Sequence, residues 1–209
     1  MYMKYFNYIC VAILISSCST PGQVQKESED RFYSLTSDFV ETCTSVSGQG
    51  DPLETIISFN TQSCYTAENG ILRMKWNDQF LRGYVSKTSK SILSLQVYNV
   101  IYTRQGRWIY PYQASYLIDN KLITHNGINI ASDVDCSSSD LYNSCLYRND
   151  YGFDLDLKIF EEARRLKSIG EQTFSYRIKT RAGGDIDRIF NVEEILGLET
   201  KMKNVIEEL

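Results

Sequence analysis

The sequence predicts an α+β domain: an antiparallel sheet with an N-terminal helix and C-terminal helices, stapled by disulfides. Three observations carry that expectation. Residues 56–130 alternate β-branched or aromatic side chains with polar ones, in runs broken by turn residues at hairpin intervals. The segments on either side carry apolar residues at helical spacing. Cys43, Cys64, Cys136 and Cys145 make an even number in a chain whose first residues read as an export signal.

The composition fits one globular core. Of 209 residues, 43% are hydrophobic and only 3 are proline, which excludes disordered and collagen-like classes. A formal charge of −4 leaves no basic surplus to neutralise a phosphate backbone, so nucleic acid is not an expected partner. The expected organisation is a signal peptide over 1–17, a tether over 18–29 and a single α+β domain over 30–209.

The first segment holds Lys4 and then an apolar stretch from Tyr5 to Ile15, broken only by Asn7. At 1.5 Å per residue such a stretch reaches about half of a ~30 Å hydrocarbon core, too short for a spanning helix. It ends in Ile15-Ser16-Ser17-Cys18, which resembles the lipobox of bacterial lipoproteins, with Ile15 where Leu is usual and Ser17 where Gly or Ala is usual. Cys10 is a poorer candidate, because Tyr8 and Ile9 are too bulky to precede a cleavage site. The resemblance implies lipid attachment at Cys18, and hence the membrane as a partner through that anchor. Two or three acyl chains, at about 0.8 kcal/mol per buried CH₂, hold a protein on a membrane where one chain is marginal. Ser19, rather than Asp, after the lipidated position implies the outer membrane, with the domain in the periplasm.

The polar run that follows reads as a tether reaching roughly 40 Å when extended. Phe32, Leu35, Phe39, Val40 and Cys43 recur at helical spacing, predicting a helix over 27–46 that ends before Gly48 and Pro52. Strands are expected at 55–59, 71–76, 80–85 and 92–102, with turns at Asn69-Gly70, Asn77-Asp78, Arg104-Gln105-Gly106 and Asn126-Gly127. Short turns without helical crossovers make such a sheet antiparallel. Beyond it come a short strand at 154–157, a helix over 158–168 capped by Gly170, a strand at 174–179 and an amphipathic helix over 192–209. Cys136 and Cys145 flank a short polar insert and pair locally, leaving Cys43 to Cys64, a bridge that staples the first helix to the sheet.

The run from a Trp/Tyr-rich strand through two clustered cysteines to a strand, a helix and the stretch FSYRIKTRAGG resembles small bacterial envelope lipoproteins of uncharacterised function. Trp108, Cys136, Cys145, Ala163, Gly170, Arg177 and Gly183 carry the likeness, which spans about half the mature chain. It implies an exported α+β domain and no assigned activity.

Catalytic constellations are scarce. His125 is the one histidine and reads as a loop residue before a turn. No Gly-x-Ser-x-Gly elbow, Ser-x-x-Lys pair, His-Glu-x-x-His motif or phosphate-cradling glycine pattern occurs. The cysteines lack zinc-type spacing, so neither a metal site nor a cofactor is expected. Asp154 and Asp156 alternate with leucines and read as a solvated strand face, and Asp133, Asp135 and Asp140 lack the spacing of a calcium loop. Trp108, Tyr110 and Tyr112 alternate with Ile109 and Pro111 and, on a strand, share one face; Tyr98 and Tyr102 share a face of the preceding strand. Two roles fit the row: the wall of a core, the favoured one, or a stacking platform for a sugar or peptide. The expected function is therefore a non-catalytic accessory or protein-interaction module of the envelope, with an envelope protein as partner. The alternative is a glycan- or peptide-binding module using the aromatic face.

Overall fold

The structure is a computed structural model and describes residues 32–64, 78–103, 108–136 and 145–209. It divides at Ser34, and the body runs from Leu35 to Leu209. In chain order the elements are α1 (Ser37–Cys43), β1 (Ser45–Ser47), β2 (Ile56–Asn60), a single 3₁₀ turn (Gln62–Cys64), β3 (Asp78–Ser86), β4 (Ser91–Thr103), β5 (Pro111–Ile118), β6 (Lys121–Asn126), β7 (Ile128–Asp135), β8 (Leu146–Leu155), α2 (Ile159–Ser168), β9 (Thr173–Thr180), β10 (Ile186–Asn191) and α3 (Val192–Glu208).

The α+β expectation is met with one refinement: the strands form two antiparallel sheets. One has the order β1-β2-β3-β4-β8-β7 and the other β10-β9-β5-β6. Their inner faces enclose one core, with Ile57, Phe59, Leu81, Leu95, Val97, Tyr151 and Phe153 from the first sheet and Ala114, Tyr116, Phe174, Tyr176, Ile178 and Phe190 from the second. The division falls at Asn126-Gly127. That dipeptide was expected to close a hairpin, yet β6 pairs with β5 and β7 pairs with β8, so here the chain crosses from one sheet to the other.

The first helix is shorter than its periodicity predicts. Thr36 caps α1 with an extended backbone, its hydroxyl accepting from the Phe39 N–H, so Leu35 lies before the cap and Phe39 is 51% exposed. Residues 27–31 lie outside the described residues, as do the strand expected at 71–76 and the turns at 69–70 and 104–106. α2 and α3 match expectation closely. α2 ends in paired hydrogen bonds, from the Gly170 N–H to the Lys167 carbonyl and from the Glu171 N–H to the Leu166 carbonyl, with Gly170 at φ 80°. In α3, Val192, Ile195, Leu198, Met202 and Val205 are buried in the common core. This helix packs on α1, α2 and β3, and β3 carries Gly83 opposite the Met202 side chain.

Both expected disulfides form. Cys43–Cys64, with Cα atoms 5.3 Å apart, joins α1 to the 3₁₀ turn within a small apolar cluster of Leu35, Val40 and Cys64. Cys136–Cys145, with Cα atoms 4.3 Å apart, links the end of β7 to the start of β8. β10 was not anticipated, although the two glycines before it, Gly183 and Gly184, both sit at positive φ in the turn from β9.

Candidate functional site

The aromatic row lies at the entry to β5, and its geometry overturns the core-wall expectation for Tyr110. Trp108 to Tyr110 precede the strand, which begins only at Pro111. Tyr110 adopts φ 46°, a left-handed conformation uncommon for a bulky residue, and the residue is 56% exposed. Its carbonyl accepts from the Arg181 N–H at 3.1 Å, so the β9–β10 turn holds the strained residue in place. One residue on, the β5–β9 register shifts between Pro111 and Gln113, a bulge that leaves Tyr112 out of the ladder and 39% exposed. Two departures from pleat geometry thus break the alternation that the sequence implied.

The rings cluster by another route. Trp108 meets Tyr147 edge to face at a centroid distance of 5.1 Å and lies 6.5 Å from Tyr110 at a 39° tilt. The Arg181 guanidinium stands 6.0 Å from the Tyr112 ring centroid. The result is a set of aromatic residues built from the β5 entry, the β8 start and the β9–β10 turn, with Tyr110 and Tyr112 exposed and Trp108 and Tyr147 half-buried. Tyr147 and Arg181 were not anticipated, because both come from distant sequence. The row of Tyr98 and Tyr102 does not lie beside it on a paired strand: β4 pairs with β3 and β8, while β5 belongs to the other sheet.

The remaining candidates do not assemble into a reacting centre. His125 is not a loop residue but lies within β6, where its ring stacks on Tyr116 at 5.8 Å and 9°. Tyr116 is itself 2% exposed, and burial pushes its phenol up to about 12. Its hydroxyl oxygen accepts from the Asp156 N–H at 2.9 Å. Asp154 and Asp156 part ways: Asp154 stays on β8 and accepts from Gln96, whereas Asp156 leaves the strand and accepts from the Lys158 N–H ahead of α2. Asp133 and Asp135 lie on β7, and Asp140 lies outside the described residues. Among the described residues no group of His, Cys, Asp or Glu is placed to hold a metal, and no helix is long and apolar enough to cross a membrane. Cys18 lies outside the described residues.

No protein-family model, curated protein or solved structure matches this chain.

Proposed function

We propose that the protein is a lipid-anchored, non-catalytic binding module of the bacterial envelope, and that it takes a glycan on the aromatic cluster. The observation that carries the binding surface is the exposure of Tyr110 and Tyr112 beside Trp108, with Tyr110 held outward in a strained conformation. Strain of this kind costs on the order of 1–3 kcal/mol, and it gathers where structure serves ligands. Aromatic faces stack on the C–H faces of sugar rings, and the Arg181 guanidinium supplies directed N–H donors for hydroxyl oxygens. The anchor rests on the lipobox-like Ile15-Ser16-Ser17-Cys18, and Ser19 favours the outer membrane with the domain in the periplasm.

Two measurements test the reading. Labelling with a fatty-acid analogue is expected in the wild type and lost in Cys18→Ser; label that persists in the variant sinks the anchor. Titration with peptidoglycan fragments and neutral oligosaccharides is expected to change Trp108 fluorescence and raise the melting midpoint, with both responses lost in a Tyr110→Ala, Tyr112→Ala double variant. A response to proline-rich peptides alone makes the module a peptide binder instead.

A further inference from the structure

On the outer face of the six-stranded sheet, away from the aromatic cluster, lies an open groove of about 290 Å³ lined by Ser45, Ser47, Ser58, Asn60, Arg82 and Tyr84 with the Phe59 backbone. It follows from register. Ser45 faces Asn60 and Asn60 faces Arg82, while Ser47 faces Ser58 and Ser58 faces Tyr84, so two polar rows run side by side across β1, β2 and β3.

The internal hydrogen bonds of the groove occupy its Asn60 oxygens and most of its hydroxyl hydrogens, and leave two nitrogen donors. Asn60 Oδ1 accepts from the Gln62 N–H at 2.8 Å, and the Asn60 carbonyl accepts from Ser45 Oγ at 3.2 Å. Ser47 and Ser58 hydroxyls bond each other at 2.7 Å, and Tyr84 donates its hydroxyl to Gln96 Oε1 at 3.2 Å. That leaves the Asn60 Nδ2 hydrogens and the guanidinium of Arg82 without a hydrogen-bond acceptor among the described residues.

Arg82 is a held cation. Its guanidinium carbon lies 4.1 Å from the centroid of Tyr98 and 5.3 Å from that of Phe80, and those two rings stack at 4.9 Å. Ring stacking fixes the plane of the guanidinium and leaves its N–H edge for a ligand. No carboxylate pairs with it among the described residues. The nearest acid along its row, Asp154, sits two strands away on β8 and accepts from Gln96 Nε2 at 2.8 Å. A fixed planar fork beside an amide donor matches an oxyanion, which offers paired acceptor oxygens to a bidentate contact.

We propose that this groove is a binding site for a small oxyanion, a carboxylate or a phosphate, carried on a hydroxylated molecule and held end-on by Arg82 with Asn60. The volume, on the order of ten waters at ~30 Å³ each, accommodates a sugar acid or a sugar phosphate. The site is independent of the aromatic cluster, so either proposal can fail alone.

The test is an amide chemical-shift titration of the full chain in detergent with sodium phosphate, sodium glucuronate and, as the neutral control, glucose. Saturable shifts in β2 and β3 are expected with phosphate, glucuronate or both, and the responding anion identifies the source of the oxyanion. Arg82→Gln is expected to weaken binding at least 10-fold, and Arg82→Lys to weaken it less, since charge remains while the fork is lost. A Trp108→Ala variant is expected to bind the anion unchanged. Equal shifts of β2 and β3 by glucose and glucuronate, an unchanged affinity in a folded Arg82→Gln, or no shift there from either anion overturns the site. Should Arg82→Gln fail to fold, the comparison of glucuronate with glucose in the wild type decides alone.

Discussion

The backbone of Gly127 lies directly against the ring of Tyr151: a Cβ built on Gly127 would fall on the Tyr151 hydroxyl and ring carbons. Gly127 is the point at which the chain leaves one sheet for the other, and its N–H donates to the Tyr112 carbonyl at 2.9 Å. Tyr151 comes from β8 and is fully buried, so the ring has no room to retreat. Gly127→Ala is therefore expected to destabilise the protein by about 2–3 kcal/mol, as overpacking of a filled core does. A denaturant melt that leaves the midpoint of Gly127→Ala in place would show that the crossover is loosely packed.

Tyr151→Phe is expected to behave oppositely. The Tyr151 hydroxyl is buried with no hydrogen-bond partner among the described residues, and burial alone raises its pKa. Removing an unpaired hydroxyl forfeits no hydrogen bond, so stability should stay within about 1 kcal/mol of the wild type or rise. A loss of several kcal/mol in the same melt would mean that the hydroxyl is paired in solution.

At Tyr110 the expected effects separate the ring from the backbone. Because the residue is 56% exposed, Tyr110→Ala should move stability by less than about 0.5 kcal/mol. Tyr110→Gly should add about 1 kcal/mol, since glycine takes φ 46° without the clash between Cβ and carbonyl. Thermal melts of both variants check this, and a large loss in Tyr110→Ala would return the ring to the core.

The two disulfides should differ in weight. Cys43–Cys64 spans a sequence separation of 21 and Cys136–Cys145 one of 9, so on chain entropy the first contributes about 0.8 kcal/mol more. It also lies in the apolar cluster that seats α1, whereas the second ties two strand ends. Replacing each pair with serines and comparing denaturant midpoints should rank Cys43/Cys64 as the costlier loss; the reverse order would refute it.

Glu162 gives the acid limb a specific origin. The Arg165 side chain hydrogen-bonds its carboxylate and holds the pKa below the usual carboxylate value of 4.5, against the upward push of burial. A group depressed on folding stabilises the protein above its unfolded pKa, and that contribution is lost as pH falls through the lower folded value. Stability measured from pH 7 to pH 3 should therefore fall below about pH 4.5 more steeply in the wild type than in Glu162→Gln. Parallel curves for the two proteins would remove Glu162 from the titration.

By itself the sequence determined what is local. Period-two runs placed β2, β3 and β4, period-3.6 runs with a C-terminal glycine placed α2 and α3, and the spacing of four cysteines gave both bridges. These features depend on neighbours within a few residues, where side-chain direction follows chain position. Only the tertiary structure decided which strands share a sheet. Asn126-Gly127 carries the chemistry of a hairpin turn, yet the Tyr151 ring arriving from β8 makes the glycine a crossing point. The candidate site was legible only in its residues. Trp108, Tyr110 and Tyr112 alternate in sequence, but the Arg181 N–H on the Tyr110 carbonyl and the register shift at Tyr112 come from β9 and the turn after it, whose distance along the chain no spacing rule spans. Arg82 and Asn60 likewise form a donor pair only because β2 and β3 meet in that register, and register is set by which faces the core buries.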